Sequence, residues 1–156
     1  MANEAYSKPL PRPNRVSQPF WDGCKRHELL LQKCAACGHV WFPPSTRCPE
    51  CLSTEYSWMQ VSGRGKVWSW IVMWQRYFPA FEGEIPYNVA YVTLDEGPRL
   101  MTNLVGIEND AIECDMPVVV VFEDVTEEIS LPKFRPVRFT MRPAPRITVR
   151  RSRSNN

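Results

Sequence analysis

Four of the six cysteines lie in one stretch, CAACGHVWFPPSTRCPEC, as two Cys-x-x-Cys pairs, Cys34/Cys37 and Cys48/Cys51, ten residues apart. A Cys-x-x-Cys turn presents two sulfurs to one ion, and two such turns complete a tetrahedral shell with Zn–S distances of about 2.3 Å. The ten-residue spacer is shorter than the roughly 15–20 residues usual for paired knuckles, yet it suits a compact zinc ribbon. Gly38 follows the first knuckle, where a positive φ is often needed, and Pro49 stiffens the second. Four thiolates leave no open coordination position, so the chemistry expected is structural rather than catalytic. The same ligand set also holds iron, as in rubredoxin, and the spacing does not choose between the two metals. His39, two residues past Cys37, is expected to point outward.

The rest of the chain offers no assembled catalytic set. His27 reads as a surface or capping histidine on a predicted helix. Cys24 and Cys114 have no evident histidine partner and read as buried thiols. Glu123, Asp124, Glu127 and Glu128 read as a solvated acidic loop after a strand. There is no Gly-rich phosphate loop, HExxH or GxSxG. The aromatics are more telling. Trp68, Trp70 and Trp74 share strand parity and are expected on one side. Tyr77, Phe78 and Phe81 follow in a Pro-containing loop, where exposed aromatics mark an interface or ligand groove.

These residues need elements to position them. Residues 1–16, broken by Pro9, Pro11 and Pro13, read as an extended arm. Residues 17–33 read as one or two helices, with Ser17 as cap, Pro19 in the first turn, and Phe20, Cys24, Leu30 and Leu31 near helical spacing. The ribbon occupies 34–54. From residue 55 the period changes to two. Strands are expected at Glu55–Ser62, Lys66–Gln75, Tyr87–Leu94, Arg99–Ile107, Val118–Asp124 and Arg135–Met141, with loops at Arg76–Pro86 and Glu108–Met116. Five or six short antiparallel strands without crossover helices predict a mainly β chain ending in an OB-fold barrel over 55–141. Residues 142–156 read as a disordered basic tail.

Charge bounds the partners. Residues 1–137 hold thirteen Lys/Arg against seventeen acids, a net −4, and all six remaining arginines lie from Arg138 onward. An acidic body suits nucleic acid poorly. No apolar run is long enough to span a membrane, and the opening residues do not form a secretory signal, so a cytoplasmic location is expected.

Several stretches in order carry a family resemblance: SQPFWDG at 17–23, the cysteine segment, GRGKVWSW at 63–70, PYNVAYVTLDEGPRLMTNLVG at 86–106, MPVVVVFED at 116–124 and LPKFRPV at 131–137. Together they resemble the zinc-ribbon plus OB-fold proteins known as "domain of unknown function 35", accessory partners of thiolase-like enzymes. The resemblance implies a non-catalytic subunit that binds a thiolase-fold enzyme, or in some members a hot-dog-fold hydratase. It also implies that the subunit helps shape an acyl-CoA channel for thiolysis, condensation, acyl transfer or retro-aldol cleavage. Phe20, Trp21, Trp41, Phe42, Trp74, Arg76, Tyr77, Phe78 and Arg99 are then candidates for the partner or CoA surface. Arg76, Arg99 and Lys66 are candidates for a CoA diphosphate. Two other readings stay open from the residues alone. One is a single-stranded nucleic-acid-binding OB fold, stacking bases on strand aromatics; the other is a rubredoxin-like iron electron carrier.

Overall fold

The computed structural model describes residues 6–137. The expected tail at 142–156 lies outside them. Described residues of the arm touch the body. Lys8 pairs with Glu84 and sits over the Phe81 ring.

Helix α1 (Gln18–Lys25) is shorter than expected. Pro19 occupies its first turn, but Ser17 makes no side-chain cap. Instead Asn14 Oδ1 accepts the backbone N–H groups of Val16 and Ser17, at 3.0 and 2.9 Å. The helix ends because His27 turns left-handed, φ 60°, and the Glu28 N–H returns to the Gly23 carbonyl. A β-carbon at position 23 would lie 2.7 Å from the Leu30 side chain, so a glycine there lets the following strand cross close to the helix. That strand corrects the expected helix over 17–33. Leu30 and Leu31 belong to β1 (Leu30–Cys34), and helical spacing over so short an apolar run does not separate the two states.

Strand β1 is the centre of a three-stranded antiparallel sheet with β2 (Val40–Trp41) and β3 (Tyr56–Gln60). Here too the expectation is corrected. The strand expected at 55–62 as the first of the barrel pairs with β1 from Leu30↔Gln60 to Cys34↔Tyr56, in the three-stranded sheet and not in the five-stranded one.

The second sheet has five strands in the order β6-β5-β4-β7-β8. They are β4 (Arg64–Met73), β5 (Tyr87–Leu94), β6 (Arg99–Thr102), β7 (Pro117–Asp124) and β8 (Ser130–Pro136), every neighbouring pair antiparallel. The sheet curls until residues beyond β6 meet β8 in a parallel bridge, Leu104↔Phe134. The Val105 N–H reaches the Phe134 carbonyl at 2.8 Å, and the Phe134 N–H reaches that of Asn103 at 3.1 Å. This curled sheet is the OB architecture expected. The strand expected over 99–107 stops at Thr102 because the Asn88 side chain intervenes. Its amide donates to the Leu104 carbonyl at 3.0 Å and accepts from the Leu104 N–H at 2.7 Å, replacing a ladder pair. The last strand starts at Ser130 rather than Arg135. Inside the 76–86 loop, Pro79–Glu84 forms a 3-10 helix, and Asn109–Ala111 forms another.

One apolar core joins these parts. Phe20 and Cys24 from α1, Leu31 from β1, and Val67, Val92 and Phe134 from the curled sheet are buried together. Burial pushes the Cys24 thiol up to about 12, as expected of an inert interior cysteine. Cys114 differs from expectation and is exposed.

Candidate metal centre

Cys34 ends β1, and the first knuckle leads directly into the turn before β2. The Cys34 N–H bonds the His39 carbonyl at 2.8 Å, and the Gly38 N–H returns to the Cys34 carbonyl at 3.1 Å. The second knuckle repeats both contacts. The Cys48 N–H bonds the Ser53 carbonyl at 2.9 Å, and the Leu52 N–H returns to that of Cys48 at 3.0 Å.

The four sulfurs fit a metal. They all lie within 4.8 Å of one another. Cys34 and Cys51 Sγ are 3.5 Å apart, and Cys37 and Cys48 Sγ 3.7 Å. Tetrahedral ligands at the usual Zn–S distance would be about 3.8 Å apart. The Cys37 N–H points at Cys34 Sγ from 3.5 Å. That donor, followed by the Ala36 N–H, outweighs the effect of burial and brings the Cys34 thiol down to about 6. Backbone donors aimed at sulfur favour the thiolate, the form that binds metal.

A small core supports the shell. Trp41 packs with Cys34, Cys48 and Tyr56, its ring at 5.8 Å from that of Tyr56. Its indole N–H donates to Ser45 Oγ at 3.0 Å. Buried Gln32 grips the same serine by its backbone, accepting from the N–H at 2.8 Å and donating to the carbonyl at 2.9 Å. Gln32 thereby pins the loop between the knuckles, and no pattern in the sequence marks it.

Among the described residues the structure assembles no acid–base–nucleophile set. His27 Nε2 lies 3.0 and 3.2 Å from the Asp124 carboxylate oxygens, and its ring stacks on Phe122. Buried Ser130 also donates to Asp124. The carboxylate thus sits between serine and imidazole, whereas a nucleophile relay needs the imidazole in the middle. The cluster ties α1 to β7 and β8, with Lys25 adding a bond to the Thr126 carbonyl at 3.2 Å.

The candidate contact residues divide. Phe20 and Trp41 are interior, 3% and 4% exposed. Trp21 and Phe42 are half-buried against the core, each about Phe20, with ring centroids 5.1 and 5.2 Å from it. Trp74, Tyr77 and Phe78 are well exposed. Arg76 pairs with Glu82 at 2.8 Å, and Arg99 lies over the Trp68 ring at 3.9 Å. The three strand tryptophans do not share a face. Trp68 keeps the outward parity of Lys66, and a register shift between Val67 and Ser69 turns Trp70 onto the core. A β-bulge inserts one residue and reverses parity beyond it.

Fold and site define a rubredoxin-like zinc ribbon joined to an OB fold, carrying a structural metal site. Family models agree: a "ChsH2, rubredoxin-like zinc ribbon domain" matches residues 21–57, and a "ChsH2, C-terminal OB-fold domain" matches residues 58–123. The chain belongs to the DUF35 family. It is 36% identical over 105 residues to a "DUF35 domain-containing scaffold protein" of Methanothermobacter thermautotrophicus, covering 67% of this chain and 78% of that one. A solved structure, "Ltp2-ChsH2(DUF35) aldolase", superposes with a TM-score of 0.75 at 43% identity, covering 81% of this chain and 98% of that one. A "probable enoyl-CoA hydratase alpha subunit" of Thermomonospora curvata is 43% identical over 129 residues, 83% of this chain, of which the chain spans only 40% of the length. A "benzoylsuccinyl-CoA thiolase subunit BbsA" of Thauera aromatica is 29% identical over 83 residues, 53% of this chain and 55% of that one.

Proposed function

We propose that this chain is a non-catalytic accessory subunit of a thiolase-superfamily complex acting on acyl-CoA, with a structural zinc rather than iron in the four-cysteine site. The observation that carries the reading is the pairing of a coordination shell closed by four thiolates with a well-exposed aromatic loop, Trp74 to Phe78. The first leaves the metal no position for substrate. The second is the kind of surface that a larger protein covers. The names of the relatives point the same way: a thiolase subunit, a hydratase alpha subunit, a scaffold protein and an aldolase structure. Trp74, Tyr77 and Phe78 face the partner, and Arg76 is the cation beside them for acyl-CoA phosphates at the partner's channel. A cytoplasmic location suits a CoA-dependent complex, and no helix among the described residues is long and apolar enough to cross a membrane.

The test is co-expression with the thiolase-fold enzymes of the source genome, followed by light scattering and acyl-CoA turnover assays. A stable hetero-oligomer is expected, with turnover residing in the partner and no turnover by this chain alone. Elemental analysis should find one zinc per chain in a colourless protein. Turnover by the isolated chain, or a red iron-loaded protein with reversible redox chemistry, would defeat the reading.

A further inference from the structure

The outer face of the curled sheet is organised in cross-strand rows. One row is Lys66–Thr93–Arg99, and the next is Ser69–Tyr91–Met101. Beyond it, Ile71 stands opposite Val89. Trp68 stands on the same face by alternation with Lys66, its indole edge-on to the Tyr91 ring at 6.1 Å. Trp68, Ile71, Tyr91 and Met101 are all exposed, Met101 by 63%. Single exposed apolar side chains are ordinary, but four on one face of three adjoining strands form a patch.

Charge on this face is one-sided. Strands β4, β5 and β6 contain Arg64, Lys66 and Arg99 and no carboxylate, although the body as a whole is acidic. Arg99 is already placed. Its guanidinium lies on Trp68 at 3.9 Å, and Nε donates to Thr93 Oγ1 at 3.3 Å. A stacked guanidinium keeps edge N–H groups free for a carboxylate.

We propose that the outer face of β4–β5–β6 is the surface on which this chain docks its partner enzyme, covering an apolar patch bordered by carboxylates that meet Lys66 and Arg99. The inference rests on the accessory-subunit reading and assigns its interface. The charge decides the occupant. A second copy of this chain would bring to the contact a face with cations and no carboxylate, leaving Lys66 and Arg99 unpaired as they lose water. Nucleic acid fits less well. The cations gather in a row at one end instead of tracking a phosphate backbone, and Ile71 and Met101 offer no ring for a base to stack on. An exposed Trp–Tyr–Arg cluster flanked by aliphatic side chains has the composition of a protein hot spot.

The test uses thiolase-fold enzymes of the source genome, purified one by one and titrated with the wild-type chain and with Met101→Asp, Arg99→Glu and, as a control on the ribbon, Leu52→Asp. The three replaced side chains are exposed or lie at the sheet surface, and melting curves check that each variant folds. For an enzyme that binds wild type, Met101→Asp and Arg99→Glu should each weaken binding roughly 30-fold or more, the scale of a hot-spot loss. Leu52→Asp should stay within about 3-fold of wild type, the scale of an energetically near-neutral position, and added salt should weaken the wild-type complex. If both face variants bind as wild type does, the face is not the interface and the accessory reading survives. If no thiolase-fold enzyme binds wild type, both readings fall. A homodimer abolished by Met101→Asp, or tight binding of an oligo-dT strand blocked by Arg99→Glu, gives the face another occupant and overturns the proposal.

Discussion

Gly38 and Leu52 occupy the same place in two copies of one turn. Each follows the second cysteine of its knuckle, each is left-handed with φ of 76° and 61°, and each returns its N–H to the carbonyl of the first cysteine. The ribbon is therefore a near repeat in which one half uses glycine and the other a leucine. Only glycine takes this conformation without steric cost.

Replacing Leu52 with glycine should raise stability. The left-handed conformation costs an L-residue about 1–2 kcal/mol, and the greater unfolded freedom of glycine offsets about 0.5–1 kcal/mol of that relief. The net expectation is a gain of up to about 1.5 kcal/mol. Leu52 is exposed, so no packing is lost. Gly38→Ala should do the reverse and destabilise by about 1 kcal/mol or more. Denaturant melts of metal-loaded protein check both.

Cys48 is fully buried among Cys34 and Trp41. Cys48→Ser should release the metal and destabilise the ribbon by several kcal/mol, since metal-binding energy in such a site is folding energy. Because Cys34, Trp41 and Cys48 form a small core apart from the main one, the curled sheet should stay folded while the ribbon loosens. Hydrogen exchange resolved by segment, with and without chelator, would show loss of protection confined to the ribbon. Uniform unfolding would mean that the two parts are one cooperative unit.

The knuckles and Tyr87–Leu94 were legible because each carries a local pattern: fixed cysteine spacing in one, and alternate burial along the strand in the other. The family stretches were legible for the same reason. What stayed hidden depended on contacts distant in sequence. Nothing local tells Leu30 and Leu31 that β3 waits for them, and nothing near Trp70 announces the bulge that turns it onto the core. Trp41 read as surface because it lies between knuckles, yet Gln32, Ser45 and the thiols enclose it. The outer face was missed because Tyr91 and Met101 are unremarkable in sequence until register sets them side by side.

Asn88 replaces a ladder pair with its side chain. Asn88→Leu would leave the N–H and carbonyl of buried Leu104 unpartnered, at about 1–3 kcal/mol for each group. A loss of at least about 2 kcal/mol is expected in chemical denaturation.

Asp124 should give the fold a pH dependence at the acid end. The Ser130 hydroxyl first, and His27 second, hold its carboxyl below the ordinary value. A depressed carboxylate contributes stability above its unfolded pKa, about 3.9 for Asp. That contribution is lost as pH falls through the folded value. The melting temperature of Asp124→Asn should therefore lie below that of wild type near neutral pH, and the gap should close in strong acid. A gap unchanged across the titration would show that packing, and not charge, is what Asp124 supplies.

Trp41 and Trp74 separate the ribbon core from the proposed partner surface. Trp41 is 4% exposed and Trp74 72%. Trp41→Ala empties the space beside Cys34 and Cys48 and should cost about 3–5 kcal/mol, the range for large aromatic truncations in a core. It should also loosen the metal, since the indole helps position Ser45 and the loop between the knuckles. Trp74→Ala should change stability by no more than about 0.5 kcal/mol, as surface substitutions do. Its effect should fall on the complex instead, weakening capture of the partner with the metal content intact. Paired measurement of unfolding, zinc stoichiometry and partner affinity on the two variants would give opposite profiles. A Trp74→Ala chain that unfolds early would place that side chain in the core and remove it from the interface.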